Sequence, residues 1–302
     1  MTNKFIEQGY TFKPANVQMI NNQWHDLSYM EGPRHQLDIY LPNEGTAPFP
    51  VIIDIYGGGL WRGDKSSFKL EPALQFLSAG FAVVSLDYSL LWQAPFPTQV
   101  YEVKAAIRWL KSKGILYNLD MNKTILMGES SGAQLAVLAG ITANTAAFKN
   151  STFGQFQTAS EEVQGIVAMY GPYQVDQFPT QFAATKTKPK YAETGTDESF
   201  EGQLLGQNAP QDVPDLVNKI DPINYLTPQM PPIIGFAGTA DQVVPYQQTI
   251  RLIEASQQMI GPEMAQLHLV EGAHHGIDDF MDTTNYQLKL QFIQKILGIK
   301  RG

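Results

Sequence analysis

Apolar and polar positions along the chain alternate between two periods. Short runs rich in β-branched residues predict strands, at residues 35–42, 50–57, 81–88, 123–130, 165–171, 231–238 and 265–272. Segments with apolar residues at helical spacing lie between most of these runs, at residues 67–80, 96–114, 131–143, 244–258 and 285–298. Strands that alternate with helices predict a mostly parallel sheet covered on both faces, a doubly wound α/β architecture.

One region interrupts this alternation. Residues 174–230 are rich in Pro, Gln, Thr and Asp and contain no strong strand signal, although they lie between two predicted strands. We expect an excursion above the sheet, in the form of a small cap, rather than a separate domain. No internal repeat is evident, and residues 1–302 are predicted to form a single domain.

Composition and charge narrow the range of functions. The 302 residues are 43% hydrophobic and 17% charged, which is typical of a globular protein. The net charge is -8 and no basic run occurs, so a nucleic-acid partner is not expected. The absence of cysteine excludes disulfides and thiolate catalysis. The N-terminal residues 1–17 lack the apolar core of a signal peptide, and no run is long enough to span a bilayer, which favours a cytoplasmic protein.

A short motif stands at the end of a predicted strand. Residues 128–132 read Gly-Glu-Ser-Ser-Gly, a G-x-S-x-G sequence, between the apolar run 123–130 and the helical segment 131–143. A serine on such a sharp turn adopts a strained backbone that exposes its Oγ atom, while the glycines let strand and helix approach each other. Ser130 is therefore the predicted nucleophile. The alternative is a glycine-rich connection without chemistry.

A serine hydroxyl needs a general base, and one common arrangement along the chain is Ser, then Asp or Glu, then His. Three of the five histidines follow Ser130. His268 lies inside a predicted strand, which favours a packed or sheet-face role, whereas His274 and His275 lie on the loop after that strand. Adjacent side chains point in opposite directions, so periodicity alone leaves the choice between His274 and His275 open.

The acidic partner is expected on the loop that follows the preceding strand. Asp241 lies just beyond the apolar run that ends at Gly238, where it would orient the imidazole and stabilise its cation. An Asp in a turn of small residues is commonly only a turn former. Asp278 and Asp279 are rivals close to the histidines. Chain order and position at a strand end favour Asp241.

Acyl transfer also needs hydrogen-bond donors for the developing oxyanion. Residues 57–59 are three consecutive glycines directly after the second predicted strand, where no Cβ atom prevents the backbone amides from converging. Gly58 and Gly59, together with the amide of Ser131, are the predicted donors. The glycines could instead form a flexible turn or hold a phosphate, but residues 60–63 lack the Gly-Lys-Ser/Thr of a P-loop.

These motifs resemble the esterase and lipase families with an HGGG-type oxyanion loop, especially the bacterial feruloyl and acetyl-xylan esterase-like carboxylesterases. The similar segments cover most of the chain, at residues 37–42, 56–65, 83–90, 96–114, 127–136, 169–173, 221–245 and 271–276. The resemblance implies the α/β-hydrolase fold. The family usually ends in Gly-Ala-x-His-Gly, which implies that His275 is the base, and its G-x-x-D-x-x-V-P pattern implies that Asp241 is the acid.

Two departures from the resembled families are visible. Tyr56 stands directly before the glycines, where the family commonly has a histidine that supports the loop. Relatives of the hormone-sensitive-lipase type carry a substantial N-terminal cap, whereas here the first predicted strand begins by about residue 35. We therefore expect a relatively open site and an oxyanion loop with altered geometry.

The residues and the resemblance together predict a serine carboxylesterase that hydrolyses small or short-acyl esters through an acyl-enzyme, without a metal or organic cofactor. The expected partner is a small-molecule ester, and the sequence leaves open whether the chain forms a homo-oligomer. An amidase or peptidase of the same fold and a catalytically silent ligand-binding homologue are the alternatives. Nearby aromatic residues are candidates for the pocket or for the core, namely Trp61, Tyr88, Trp92, Tyr173 and Phe178.

Overall fold

The computed structural model describes residues 4–150 and 152–299. Within these ranges eight strands form one sheet, in the order β1-β2-β4-β3-β5-β6-β7-β8. The strands are β1 (Gln23–Ser28), β2 (Gln36–Tyr40), β3 (Phe49–Ile55), β4 (Ala82–Leu86), β5 (Leu119–Glu129), β6 (Gly165–Met169), β7 (Ile233–Gly238) and β8 (Ala265–Val270). The β1–β2 and β2–β4 pairs are antiparallel and the other neighbouring pairs are parallel. The sheet is therefore mostly parallel, as the sequence predicts.

Helices connect most of the strands. The α-helices are α1 (Glu71–Leu74), α2 (Thr98–Lys113), α3 (Ser131–Ile141), α4 (Phe178–Thr185), α5 (Phe200–Leu204), α6 (Pro214–Ile220), α7 (Gln247–Ile260) and α8 (Thr283–Leu297). Short 3-10 helices occupy Phe68–Leu70, Gln75–Ala79, Gly114–Tyr117, Val175–Gln177, Pro210–Asp212, Pro222–Tyr225 and Asp278–Phe280. All predicted strands and helical segments are present, but the segment 67–80 is broken into a 3-10 turn, α1 and a second 3-10 turn.

Strand β1 is absent from the sequence prediction, which placed the first strand near residue 35. Its sequence, QWHDLS, is largely polar, and its pairing with β2 is irregular between Trp24 and Leu27. An irregular edge strand with only partial burial shows neither alternation nor a continuous apolar run, so it gives no periodic signal.

Apolar layers cover both faces of the sheet. Along β3, Val51 and Ile53 belong to one buried cluster and Ile52 belongs to the other. Helices α2, α3 and α7 contribute to the first cluster, while α1 and α8 contribute to the second. Burial on both faces explains the continuous apolar runs of the central strands. It also leaves the carboxyl edge of the parallel strands as the place where polar loops converge.

The predicted excursion between β6 and β7 is helical. It contains α4, α5 and α6 and several 3-10 turns. All strands within the described residues belong to one sheet, and a single domain over residues 1–302 stays a prediction. In the part of the chain that the structure describes, no helix has the length and hydrophobicity needed to cross a membrane. The cytoplasmic location stays a prediction.

Candidate active site

Ser130 lies on a sharp turn between β5 and α3. Its backbone has φ 54° and ψ -127°, a conformation that is strained for a residue with a side chain. A Cβ atom at Gly128 would lie 2.4 Å from the carbonyl oxygen of Gly132, and one at Gly132 would lie 2.0 Å from that of Ile55. The two glycines of the motif are therefore required by close contact between strand and helix.

The structure brings together the three residues that were predicted from separate loops. The imidazole Nε2 of His275 lies 2.9 Å from Ser130 Oγ, and its Nδ1 lies 2.7 Å from Asp241 Oδ2. The other carboxylate oxygen of Asp241 accepts hydrogen bonds from the amides of Val243 (2.7 Å) and Val244 (2.9 Å). The Asp241 side chain is buried, so the carboxylate is fixed on one side by backbone and on the other by His275.

The rival residues lie elsewhere. The His274 side chain is 71% exposed, and its Nδ1 lies 3.4 Å from the carboxylate of Asp279 rather than near Ser130. His268 stacks on the ring of Phe236 at 5.2 Å, and partial burial lowers its pKa, as suits the predicted packed position. Asp278 and Asp279 begin a 3-10 helix beyond the histidine loop.

The predicted oxyanion loop lies beside Ser130, and Gly58 and Gly59 line the same cavity as Ser130. Within the loop, Gly57 N–H donates to Glu129 Oε1 at 2.6 Å, and Leu60 N–H donates to Ser131 Oγ at 3.2 Å. Among the described residues, the amides of Gly58, Gly59 and Ser131 have no hydrogen-bond acceptor. Gly58 and Gly59 also have positive φ values of 136° and 65°, which favour glycine. All three predicted donors remain available for a ligand oxygen.

Glu129 is a site residue that the sequence reasoning missed. Its buried carboxylate accepts the Gly57 N–H and binds Lys69 Nζ at 2.9 Å. Burial alone raises the pKa of Glu129, but the Lys69 ammonium and the Gly57 amide outweigh it and leave the pKa below its ordinary value. The residue before Ser130 thus carries a negative charge that holds the start of the predicted oxyanion loop. An acidic residue at the end of an apolar strand was the available signal, but its partner lies 60 residues away.

Tyr170 supports the imidazole from the side. It follows β6 and has a positive φ of 41°. Its ring packs edge-on against His275 at 4.8 Å and in a tilted arrangement against Phe280 at 4.7 Å. Ser130 N–H donates to the carbonyl of Met169, directly before Tyr170, at 2.9 Å. The end of β6 therefore contacts both Ser130 and His275.

The departure at Tyr56 has a structural explanation. The Tyr56 ring stacks on Tyr88 at 4.6 Å, and the Tyr88 hydroxyl donates to the Tyr56 carbonyl at 2.6 Å. Arg34 donates to the Tyr56 hydroxyl, and a Cβ atom at Gly63 would lie 2.3 Å from the Tyr56 ring. A tyrosine thus packs against the predicted oxyanion loop, in the place where the resembled families commonly have histidine.

A cavity of about 440 Å³ opens onto Ser130 and His275. Its wall includes the oxyanion glycines, Lys69 and Val243, and also Phe5 and residues 8–11. The expectation of a relatively open site was based on the late first predicted strand. It is incomplete, because residues that precede β1 cover part of the cavity. The polar, aperiodic N-terminal sequence gave no indication of this role.

The aromatic residues predicted as candidates for the pocket or the core do not line the cavity at Ser130. Tyr88, Tyr173 and Phe178 are fully buried in the core. Trp61 and Trp92 line a second cavity of about 650 Å³, which does not include Ser130 or His275. Within residues 4–150 and 152–299, no group of three or more His, Asp or Glu side chains is arranged to hold a metal ion. The absence of a cofactor stays a prediction.

Known proteins with similar sequences are esterases. The chain is 25% identical over 251 residues to esterase LipC of Mycobacterium tuberculosis, covering 83% of this chain and 59% of LipC. It is 26% identical over 250 residues to the isoprenylcysteine alpha-carbonyl methylesterase ICME of Arabidopsis thaliana, covering 82% of this chain and 55% of ICME. The chain thus spans little more than half the length of these two relatives.

Solved structures show the same architecture. A truncated carbohydrate esterase from gut microbiota matches with a TM-score of 0.81 and 27% identity, over 95% of this chain and 100% of that one. Esterase 2 of Thermogutta terrifontis, in a structure phosphonylated by sarin, matches with a TM-score of 0.69 over 95% of this chain and 99% of that one. At 21% identity, the second match shows the fold alone.

The α/β-hydrolase fold predicted from the sequence is therefore confirmed, and so is the resemblance to carboxylesterases. The model of the BD-FAE family matches residues 37–255, a range that contains Ser130, Asp241 and the oxyanion glycines and ends before His275. Because that match covers well over half of the chain, the protein belongs to the BD-FAE family.

Proposed function

We propose that the protein is a serine carboxylesterase that hydrolyses short-acyl carboxylic esters. The observation that carries this proposal is the continuous hydrogen-bonded chain from Ser130 Oγ through His275 to Asp241, with distances of 2.9 Å and 2.7 Å. The esterase names of the relatives and the unoccupied amides beside Ser130 support the same reaction class.

In this mechanism, Ser130 Oγ attacks the ester carbonyl carbon while His275 Nε2 accepts the hydroxyl proton. Asp241 holds the imidazole in the required orientation and stabilises its cation. The carbonyl oxygen becomes an oxyanion that accepts hydrogen bonds from the amides of Gly58, Gly59 and Ser131. Such donors act where charge develops, so they stabilise the transition state more than the bound ester.

The tetrahedral intermediate collapses when the bond between the carbonyl carbon and the alcohol oxygen breaks. His275 returns its proton to the leaving alcohol, which departs and leaves an acyl group on Ser130. Water then attacks the acyl-enzyme, with the same imidazole taking the water proton and passing it to Ser130 as the carboxylic acid leaves. Each proton taken up is returned, so the cycle needs no further reactant.

The cavity supports the proposed short-acyl preference. A volume of about 440 Å³ is in the lower part of the usual range for ligand pockets, and aromatic side chains close one side of it. One structural relative is a carbohydrate esterase. Acetylated sugars are therefore the first natural substrates to examine beside simple esters.

The direct test is hydrolysis of p-nitrophenyl esters of increasing acyl length, and of acetylated xylose, by the wild type, Ser130→Ala and His275→Ala. His274→Ala is the matched control because it removes the adjacent, exposed histidine. We expect turnover of short esters that is lost in the first two variants and retained in the control. Lack of turnover on every ester, with turnover of amides instead, would contradict the proposal.

A further inference from the structure

Residues that precede the first strand form part of the wall of the catalytic cavity. Phe5 and residues 8–11 line the cavity together with Gly58 and Gly59. Phe5 is only 8% exposed, whereas Phe12, which does not line the cavity, is 48% exposed. An apolar side chain that is buried outside regular secondary structure is held by specific contacts. The contacts of Phe5 include the oxyanion loop.

The Phe5 ring lies directly against the oxyanion loop. A Cβ atom at Gly59 would lie 2.5 Å from Phe5 Cζ, so only a glycine leaves room for this ring. Phe5 also packs against Tyr191 and against Phe200, each with a centroid distance of 5.5 Å. All three rings line the cavity. We call Phe5, Tyr191 and Phe200 the aromatic wall.

Several contacts fix the position of Phe5. Its N–H donates to Glu193 Oε1 at 2.6 Å. The Arg62 guanidinium lies 4.2 Å from the centre of the Phe5 ring, and it donates to the carbonyls of Phe5 and, at 3.1 Å, Gln8. Such a combination of a cation–π contact and backbone hydrogen bonds restricts the ring to one position. The aromatic wall is therefore joined to the oxyanion loop through Arg62 and to the excursion between β6 and β7 through Glu193.

Because an ester carbonyl must place its oxygen at the amides of Gly58 and Gly59, the groups attached to that carbonyl lie close to Phe5. Resting on the function proposed above, we propose that Phe5 is a specificity-determining residue. Its ring closes the cavity beside the oxyanion loop. It thereby limits the size of the acyl or alcohol part of the ester that fits there. Truncation of Phe5 opens this side of the cavity and admits a larger group.

The test compares Phe5→Ala with the wild type and with Phe12→Ala, the matched control from the same segment. For each protein, kcat/KM is measured for p-nitrophenyl esters from acetate to decanoate, and for acetates of alcohols of increasing size. A pocket typically discriminates about tenfold or more for one methylene group. We expect Phe5→Ala to raise the ratio of kcat/KM for the largest to the smallest ester by about tenfold or more in at least one series.

Three outcomes overturn the proposal. In the first, the kcat/KM ratio in both series stays within about twofold of the wild type. In the second, Phe12→Ala shifts this ratio as much as Phe5→Ala does. In the third, all esters lose activity by the same factor, as loss of loop support alone would cause. If Phe5→Ala fails to fold, Phe5→Leu keeps apolar contact with Gly59 and is expected to shift the same ratio by a smaller factor. An inactive wild type would instead contradict the esterase proposal, so the two failures are distinguishable.

Discussion

Side chains are positioned by different means at the carboxyl edge of the sheet and in the segments that cover it. We call these covering segments, residues 4–22 and 174–230, the cover. At the edge, Ser130, Asp241 and His275 follow β5, β7 and β8 closely, and backbone register brings their loops together. In the cover, Phe5 and Glu193 are joined by a hydrogen bond across 188 residues of chain. Local backbone thus determines the chemistry, while long-range side-chain contacts shape the cavity. Substitutions at the edge should change the rate, and those in the cover should change selectivity or stability.

The largest effect that sharpens this contrast is expected at Asp241. Asp241→Asn keeps the size of the side chain but removes its charge. The Val243 and Val244 amides hold the remaining oxygen, so the new NH2 group faces His275 Nδ1 and favours the wrong tautomer. The comparable change in serine hydrolases costs roughly 10⁴-fold in kcat. We expect a loss of that order on short esters, measured by steady-state kinetics. Asp279→Asn is the control, because Asp279 contacts His274 instead. An equal loss in the two variants would mean that the acid is wrongly assigned.

A smaller effect is expected at Glu129, which connects the edge to the oxyanion loop. Glu129→Ala removes the acceptor of Gly57 N–H and the partner of Lys69, so the loop is free to shift. Displacement of catalytic donors by about 1 Å costs on the order of 10²-fold. We expect kcat to fall by about that factor while KM changes little.

The rescue variant at this position is Glu129→Gln. It keeps an oxygen that can accept the Gly57 amide, and its kcat should lie between those of the wild type and Glu129→Ala. The unfolding temperature of each variant separates loop positioning from loss of stability. If kcat in Glu129→Ala stays within about threefold of the wild type, Glu129 does not position the loop.

The smallest effect on rate is expected at Glu201, a fully buried acid of α5 in the cover. Burial raises its pKa to about 7 from an ordinary value of 4.5, and neither carboxylate oxygen has a hydrogen-bond partner among the described residues. The folded protein therefore keeps a proton that the unfolded chain releases. The wild type should lose stability as the pH rises from about 4.5 to about 7.

Glu201→Gln removes this proton linkage and leaves kcat nearly unchanged. Relative to the wild type, the variant should gain roughly 3 kcal/mol of unfolding free energy between pH 4.5 and pH 8, because one pKa unit corresponds to about 1.4 kcal/mol. Urea unfolding at both pH values measures this difference. Parallel pH profiles for the two proteins would show that folding does not raise the pKa of Glu201.

The residues at the edge were predictable from the sequence because local motifs carry their geometry. Gly128 and Gly132 mark the close contact around Ser130, and Gly58 and Gly59 mark a loop without Cβ atoms. Periodicity could not separate His274 from His275, since both follow β8 on an irregular loop. The family resemblance favoured His275, and the structure places its Nε2 2.9 Å from Ser130 Oγ.

Long-range contacts and irregular elements could not be predicted in the same way. The Lys69–Glu129 ion pair and the Phe5–Gly59 contact join segments that are distant along the chain and follow no period. Strand β1 was missed because its polar, irregular sequence carries no alternation. Long-range side-chain pairs depend on the whole fold. A single sequence shows which residues are present, but it does not show which of them pair.

The central claim is that Ser130 is a nucleophile activated by His275. The most direct measurement is covalent labelling with a fluorophosphonate, followed by peptide mass spectrometry, on the wild type, Ser130→Ala, His275→Ala and His274→Ala. We predict one adduct, on Ser130, that is absent from Ser130→Ala, forms much more slowly in His275→Ala and forms at the wild-type rate in His274→Ala. An adduct on another residue, or equal labelling rates in the two histidine variants, would contradict the claim.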